Sequence, residues 1–554
     1  MTGGRSFAAS AVVQGGTLGQ APWLDKLRSC VVDENVGLPA SAVLVYEDGD
    51  HELLARTGIT IGSPVRVSVA AVRTQAQELL FVGEVTGLEM DADGTGAYTV
   101  IRAMSKAHRL LRGRRVKAFR MMTAATIVRE VARNAGLSVG RVETAPITYQ
   151  QLSQPAVSDW DFLQSLAREH GAVVTVDDKG LLEFVRPDPA SGAPAPSTTA
   201  DTNPYVLEFG RNLMVLRAAL SSAELAGGVE VRGWDVARKQ KLVAPRTSMS
   251  SRTVQPGLSV TEAAARFPTR ARTLVVDTPY GTQAEADAAA DALAASIGAG
   301  YGELEAVAEG NPKLRAGVPV ALGNVSAAFA GRYTATSVTH VLEPDAGYRT
   351  TLVVSATPDR SLAGLTAPAR DVRMPGLATG VVTDIKEVGG QRGWVRLKFP
   401  WLDDDYVTDW VRAVQLGGGG VFSAEVNDEV LVGFEQGSLD RPYVLGVLYN
   451  GVDAPAEHAV PLVDARGGTL NRRSLVSRGG NRLELLDGTQ AAGVRLATGD
   501  KRLEVLLDEQ RGSLRLAVLA GRRVTSSITL DATGITIDAG AGEVSIKGRT
   551  IRLN

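Results

Sequence analysis

Gly136-Leu137-Ser138-Val139-Gly140 fits the G-x-S-x-G pattern, in which a serine nucleophile sits on a sharp strand-to-helix turn. Here the context is reversed, with a helix-patterned run before Ser138 and a strand-patterned run after it, so the segment reads as a helix stop and turn. The five histidines, His51, His108, His170, His340 and His458, are scattered, and none forms H-x-H or H-x-x-x-H. Zinc and iron sites need ligands clustered at such spacings, so ordinary core or surface histidines are expected. Cys30 is the single cysteine, which excludes a disulfide framework and a thiolate cluster. It opens the strand-like run Cys30-Val31-Val32 and reads as a buried small hydrophobe. Asp403-Asp404-Asp405 lacks the dozen-residue spread and the bend glycine of a calcium loop, and reads as a solvated loop. Gly417-Gly418-Gly419-Gly420 has no Lys-Ser/Thr and no helix after it to hold a phosphate. No catalytic, metal or cofactor-binding residue is therefore expected, and no enzyme.

The elements that could position any chemistry are mostly strands. At 554 residues the chain is too long for one core, and three to four domains are expected. The 60 glycines and an aromatic share of only 5% suit many short strands and turns. A formal net charge of −2 provides no field to draw nucleic acid or an anionic membrane. Met1-Thr2-Gly3-Gly4-Arg5-Ser6 lacks the apolar core of a secretory signal, and no apolar run is long enough to span a bilayer. Synthesis in the cytoplasm without a signal peptide is expected.

Residues 1–115 carry β-branched runs bounded by turn residues, such as Ala42-Val43-Leu44-Val45-Tyr46. The period then changes. Thr123 to Ala135 places Ile127, Val128, Val131 and Ala135 on one helical face, with Gly136 as its stop. Ser158 caps a second helix with Asp161 at its third position, and Gly171 ends it. A hairpin across Asp177-Asp178-Lys179-Gly180 follows, then a Pro/Ala/Ser/Thr-rich stretch, Pro187 to Pro204, that reads as a flexible surface loop. Strands resume at Val206. One Ala-rich helix interrupts them, opened by the capping box Thr282-Gln283-Ala284-Glu285 and closed near Gly298. Tyr333 to Thr339 and Tyr348 to Val354 look like a long antiparallel pair. A linker, Ala367 to Pro375, leads into five short strands between Gly380 and Asn450.

From Val476 the chain alternates. Leu483 and Leu485, Val494 and Leu496, Leu514 and Leu516, Ile528 and Leu530, Ile535 and Ile537, Val544 and Ile546, and Ile551 and Leu553 are i, i+2 pairs. Each strand has one apolar face to bury, yet no helix or second long segment is available to cover it. A thin ribbon of this kind is marginal alone in water. Several copies winding their ribbons together would bury those faces; a small monomeric sandwich is the competing reading.

These segments in this order resemble the VgrG-type spike proteins of contractile injection systems and the hub-plus-spike proteins of contractile phage tails. The resemblance is carried by Gln154, Ser158-Asp159-Trp160-Asp161-Phe162-Leu163 and Glu169-His170-Gly171, and by Val231-Arg232-Gly233-Trp234-Asp235. Ala284-Glu285-Ala286, Leu314-Arg315-Ala316-Gly317, and Gly331-Arg332-Tyr333 with His340 extend it. In the block from Gly380 to Asn450 it rests on Asp409-Trp410-Val411-Arg412, Glu429 to Glu435 and Asp440 to Asn450. What the resemblance implies is a mainly β, multi-domain chain. It would have a first hub β-barrel-like domain (1–115), an α/β hub insertion ending in the Pro-rich loop (116–204) and a second hub β-barrel-like domain (205–366). An OB-fold domain (376–453) and a C-terminal triple-stranded β-helix needle (472–554) would follow, intertwined in a homotrimer.

The resemblance further implies a central baseplate spike linking the inner tube protein to a membrane-piercing needle, with baseplate components around it. It looks closest to extracellular phage-tail-like particles, whether released or retained by the producer. No His follows His458 to bind iron at a tip. The needle is therefore expected to end blunt under a separate PAAR-type tip protein, contacted by Ile551, Arg552, Leu553 and Asn554. Effector cargo would be a further partner; no domain between OB-fold and needle and no fused cargo domain is expected. Two other functions compete. A tail-associated cell-wall hydrolase needs paired carboxylates or a nucleophile constellation, and no segment is left to hold one. A glycan- or receptor-binding tail protein would show aromatic-rich loops, and aromatics are scarce.

Overall fold

The computed structural model describes residues 9–71, 77–177, 179–247, 250–267, 272–356, 373–374, 376–386, 392–489 and 491–552. It divides into two compact units, Met1–Leu448 and Tyr449–Asn554.

The first unit is built on a ten-stranded antiparallel sheet. One half comes from Ala9–Gln14, Pro64–Ala71, Gln77–Asp93, Gly96–Met104, Leu38–Glu47 and Leu27–Asn35. The other half comes from Ser337–Glu343, Gly347–Val354, Gly302–Glu309 and Leu213–Leu220. Leu27–Asn35 joins the halves by pairing with Ser337–Glu343, with Cys30 opposite Leu342 and Val32 opposite His340. The segments 1–115 and 205–366 thus share one backbone ladder. Alternate residues of Leu27–Asn35 and Leu38–Glu47 point inward, so Cys30, Val32, Leu44 and Tyr46 enter a common core. Burial pushes the Cys30 thiol up to about 12, which leaves it inert.

The insertion forms as its caps dictate. Thr123 accepts from the Thr126 amide at the start of helix Ala124–Asn134. Ser158 accepts from the Asp161 amide at the start of helix Asp159–His170, and Gly171 ends that helix at φ 60°. Ser138 opens the strand Ser138–Val142 after a helix that ended at Asn134, which is not the setting of a nucleophile elbow. The hairpin strands Val173–Val176 and Leu181–Val185 pair as expected.

Three expectations need correction. The stretch Pro187 to Pro204 is a packed strap rather than a flexible loop. Its Ala190 amide donates to Arg252 O (2.8 Å), Thr334 Oγ1 donates to Asp188 O (2.8 Å), and the small side chains of Ala190 and Ala193 are buried. Tyr333 does not lie on the strand of Thr339. The chain breaks at Ala335-Thr336, so Gly331–Thr334 pairs with Pro319–Gly323 and Val254–Pro256, while Ser337–Glu343 pairs with Gly347–Val354. The Ala-rich helix Gln283–Ala299 is not alone in its region, because Val260–Arg266 is also helical, opened by a second capping box of Ser259 and Glu262.

The OB-fold comprises Leu377–Asp384, Arg396–Lys398, Arg412–Ala413, Glu429–Phe434 and Pro442–Val447. Bridges Val395–Val411 and Lys398–Val407 bring the two outer strands together. Val382, Leu397, Phe399, Val430 and Val432 fill the interior. The barrel rests on the hairpin Arg115–Thr123 and Thr148–Val157, where Ser153 Oγ and Tyr406 OH are 2.9 Å apart. Asp403 Oδ1 accepts from the Asp405 and Tyr406 amides, so the acidic run is a local turn.

The second unit holds a seven-stranded antiparallel ribbon in strict chain order: Arg472–Val476, Arg482–Gly488, Ala491–Ala497, Leu503–Asp508, Ser513–Ala520, Arg523–Asp531 and Gly534–Asp538. Among the described residues of the whole chain, no helix is long and apolar enough to cross a membrane.

Candidate functional site: the two faces of the C-terminal ribbon

Residues directly opposite in antiparallel strands share a face, so the register alone sorts the ribbon's side chains. Leu475, Leu483, Leu496, Val505, Leu516, Ile528 and Ile537 pair in succession and form one unbroken apolar row across all seven strands. A second row, Leu485, Val494, Leu507, Leu514, Leu530 and Ile535, runs beside it. These side chains are not covered: Leu483 is 38% exposed, Leu496 46%, Leu507 48% and Ile537 53%. Two adjoining rows of this length exceed the few hundred Å² of contiguous apolar surface usual on a soluble monomer.

The opposite face carries charge in alternating sign. Arg482 and Arg495 each place a guanidinium nitrogen 3.3 Å from Glu484. Arg495 and Arg515 then hold Glu504 at 2.7 and 2.8 Å. Glu484 is fully buried, because the preceding segment folds over it. The Val460 amide donates to His458 Nδ1 (2.9 Å), which leaves the ring proton on Nε2 to donate to Glu484 Oε2 (3.1 Å). Arg472, also buried, donates to Val460 O and Ala456 O. A buried carboxylate so surrounded is satisfied, and removing one partner would strand a charge. The sequence signal for this ladder is Arg482 and Glu484 two apart on a strand, with Arg495, Glu504 and Arg515 at matching phase on the next three.

The apolar pairs from Leu483 to Ile537 fall on strands as expected, and the run Leu503, Val505, Leu507 adds a strand that the pair pattern missed. Val544 and Ile546 are exposed beyond the last strand. Of the four residues assigned to a tip contact, Ile551 and Arg552 are exposed and lie in no strand, while Leu553 and Asn554 fall outside the described residues. The histidines engage locally. His108 meets Glu84 at 3.0 Å, His170 accepts from the Ala145 amide, and His340 contacts Tyr348 OH at 2.8 Å. Among the described residues, no group of three or more His, Cys, Asp or Glu side chains stands together as metal ligands do.

With this geometry in place, comparison with known proteins decides the family. A family model described as the Alg8 N-terminal domain matches residues 28–344, more than half of the 554. The chain belongs to the Alg8 N-terminal domain family. The matched span begins in the strand Leu27–Asn35 and ends just past its partner Ser337–Glu343, leaving Ala9–Gln14 and Gly347–Val354 of the ten-stranded sheet outside it. The model of the type VI secretion system/phage-baseplate injector OB domain matches residues 378–449 of this Alg8-family chain. Among solved structures, the half-lidded Francisella PdpA-VgrG complex is similar at 10% identity and a TM-score of 0.50, over 96% of this chain and 87% of that one. The E. coli c3393 protein, a component of the type VI secretion system, is 15% identical with a TM-score of 0.48, over 76% of this chain and 97% of that one. The 43 kDa tail protein of prophage MuSo2 from Shewanella oneidensis is 14% identical with a TM-score of 0.46, over 63% and 98%. No curated protein sequence matches. The mainly β, multi-domain fold with an injector OB domain bears out the resemblance to VgrG-type spike proteins.

Proposed function

We propose that this Alg8-family chain is the non-enzymatic central spike of a contractile injection system, working as a homotrimer. Three ribbons would wind together with their apolar rows inward and their charge ladders outward, forming a triple-stranded β-helix needle. The observation that carries this reading is the pair of apolar rows, unbroken across the ribbon and exposed in the single chain. Self-association fits them better than a receptor does, because the rows repeat with the strand spacing and so match a copy of themselves. Winding would also cover the free strand edges of a part that must survive force.

In this reading the OB-fold is a collar and the ten-stranded sheet belongs to a hub beneath the inner tube and among baseplate components. Exposed Ile551 and Arg552, with Leu553 and Asn554, would receive a PAAR-type tip protein. Assembly would take place in the bacterial cytoplasm, in a particle then released or retained. The native mass of the purified chain tests the proposal. A trimer that falls apart on deletion of residues 476–554 supports it, and a monomer at micromolar concentration refutes it. Turnover of peptidoglycan by the pure protein would overturn the non-enzymatic assignment.

A further inference from the structure

The seam between the insertion hairpin and the OB-fold holds two arginines with unused donors. Arg120 lies on Arg115–Thr123 directly opposite Gln151, and Gln151 reaches across the seam to the Asp409 amide and to Tyr406 OH (3.1 Å). Arg396, on the first short strand of the barrel wall, stands over the Trp410 ring at 4.7 Å and meets the Asp409 carboxylate at 3.5 Å. Arg396 thus meets Asp409 directly, and Arg120 neighbours it through Gln151. The Nε of Arg120 and the Nε of Arg396 are each buried and have no hydrogen-bond partner. Among the described residues, the Arg120 side chain makes no hydrogen bond or ion pair. A buried N–H of a charged group left unmade is costly, so two in one seam are an exception that calls for an acceptor.

The charge balance points the same way. Burial, and then the neighbouring Arg396, hold Arg120 below the usual guanidinium range, so the pair repels in the absence of a further anion. Asp409 meets Arg396 alone, at 3.5 Å. The other acid of the seam, Asp440, has a buried, unpartnered Oδ1, and burial raises its pKa toward the neutral form. Tyr406, Ser153 and Gln151 satisfy one another, and neither arginine Nε finds an acceptor among them. Arg396 keeps about a third of its side chain exposed, which provides an entry from solvent.

We infer that the Arg120–Arg396 seam is a binding site for a small oxyanion, a phosphate or carboxylate group, which pins the OB-fold to the insertion hairpin. Two guanidinium Nε–H groups without acceptors in one seam call for the kind of acceptor that such a group supplies. The test is calorimetric titration of the full-length chain in low-chloride buffer with inorganic phosphate and, separately, with acetate. Saturable binding near one per chain by either anion is expected, and the tighter of the two identifies the group. Arg120→Gln and Arg396→Gln should each weaken it at least tenfold, with the far-UV circular dichroism and the native mass unchanged. Binding should also raise the melting temperature of the parent chain and not of the Arg120→Gln/Arg396→Gln double variant. Absence of binding by both anions at millimolar concentration, or equal binding by the double variant, would overturn the inference and leave ordered water as the acceptor.

Discussion

Leu496 sits inside the longer apolar row, between Leu483 and Val505, and 46% of it is still exposed. Full burial of a leucine side chain is worth about 1.5–3 kcal/mol, so close to half of that, about 1 kcal/mol, remains to be gained when a second ribbon covers it. Leu496→Ala forfeits most of this gain in every copy. Three equivalent copies lose about 3 kcal/mol, which at about 1.4 kcal/mol per decade weakens assembly roughly a hundredfold. Leu496→Asp forces a carboxylate into the same apolar contact and should abolish assembly at micromolar concentration. Thr536 lies on the opposite face, where Thr536→Ala should leave association within about 0.5 kcal/mol of the parent. Sedimentation velocity across a dilution series reads the three variants, with far-UV circular dichroism confirming that the ribbon remains folded. A parent-like mass for Leu496→Asp, or an equal loss for Thr536→Ala, would refute the reasoning, because either result removes the distinction between the faces.

Acid should weaken the first unit. Burial holds His340 down at about 3, and burial together with Arg186 holds His170 at about 4. The unfolded chain takes up these protons near pH 6.5, so the contribution is complete above that pH and is lost as pH falls toward the folded values. Between pH 6.5 and 5 each histidine should cost about 2 kcal/mol, read by denaturant unfolding, and His340→Asn should flatten the slope; an unchanged slope would assign the acid sensitivity elsewhere. Glu484→Ala leaves Arg482, Arg495 and His458 without their buried carboxylate and should destabilise the second unit by about 3–5 kcal/mol in thermal or denaturant melts, with Glu484→Gln milder. A Cβ on Gly493, where φ is 132°, would stand 1.9 Å from Leu507 O. Gly493→Ala should therefore part Ala491–Ala497 from Leu503–Asp508, visible as lost amide-exchange protection confined to those two strands.

Local codes were legible in the sequence. Caps at Ser158 and Thr282 announce their helices because a side-chain oxygen must satisfy an amide a few residues ahead. Leu483, Leu496, Leu516 and Ile528 announce the ribbon because period two needs only neighbouring residues. The same code at Ser259 and Glu262 was equally present but sat in a region read as strands throughout. What local patterns do not carry is pairing across long separations. Nothing near Cys30 specifies Leu342 as its neighbour, so the ladder shared by 1–115 and 205–366 was not legible. The strap around Ala190 was missed for a related reason: its composition marks a loop, while its order comes from Arg252 and Thr334, far along the chain. The arginines of the seam carry no sequence signature, since only the docking of the OB-fold on Arg115–Thr123 and Thr148–Val157 brings Arg120 and Arg396 to one seam.

The junction of Leu27–Asn35 with Ser337–Glu343 also sets a timetable for synthesis. At ribosomal rates of ~5–20 residues per second, the three hundred residues between the two strands take roughly 15–60 s to appear. Throughout that interval one side of Leu27–Asn35 offers bare N–H and C=O groups, an open template for any other nascent chain. The ribbon has no such waiting period, because each strand finds its partner in the one made just before it. A chain halted before Glu343 would therefore release a half-sheet with a sticky edge, and the dependence on holding chaperones should be concentrated in that first stretch of translation.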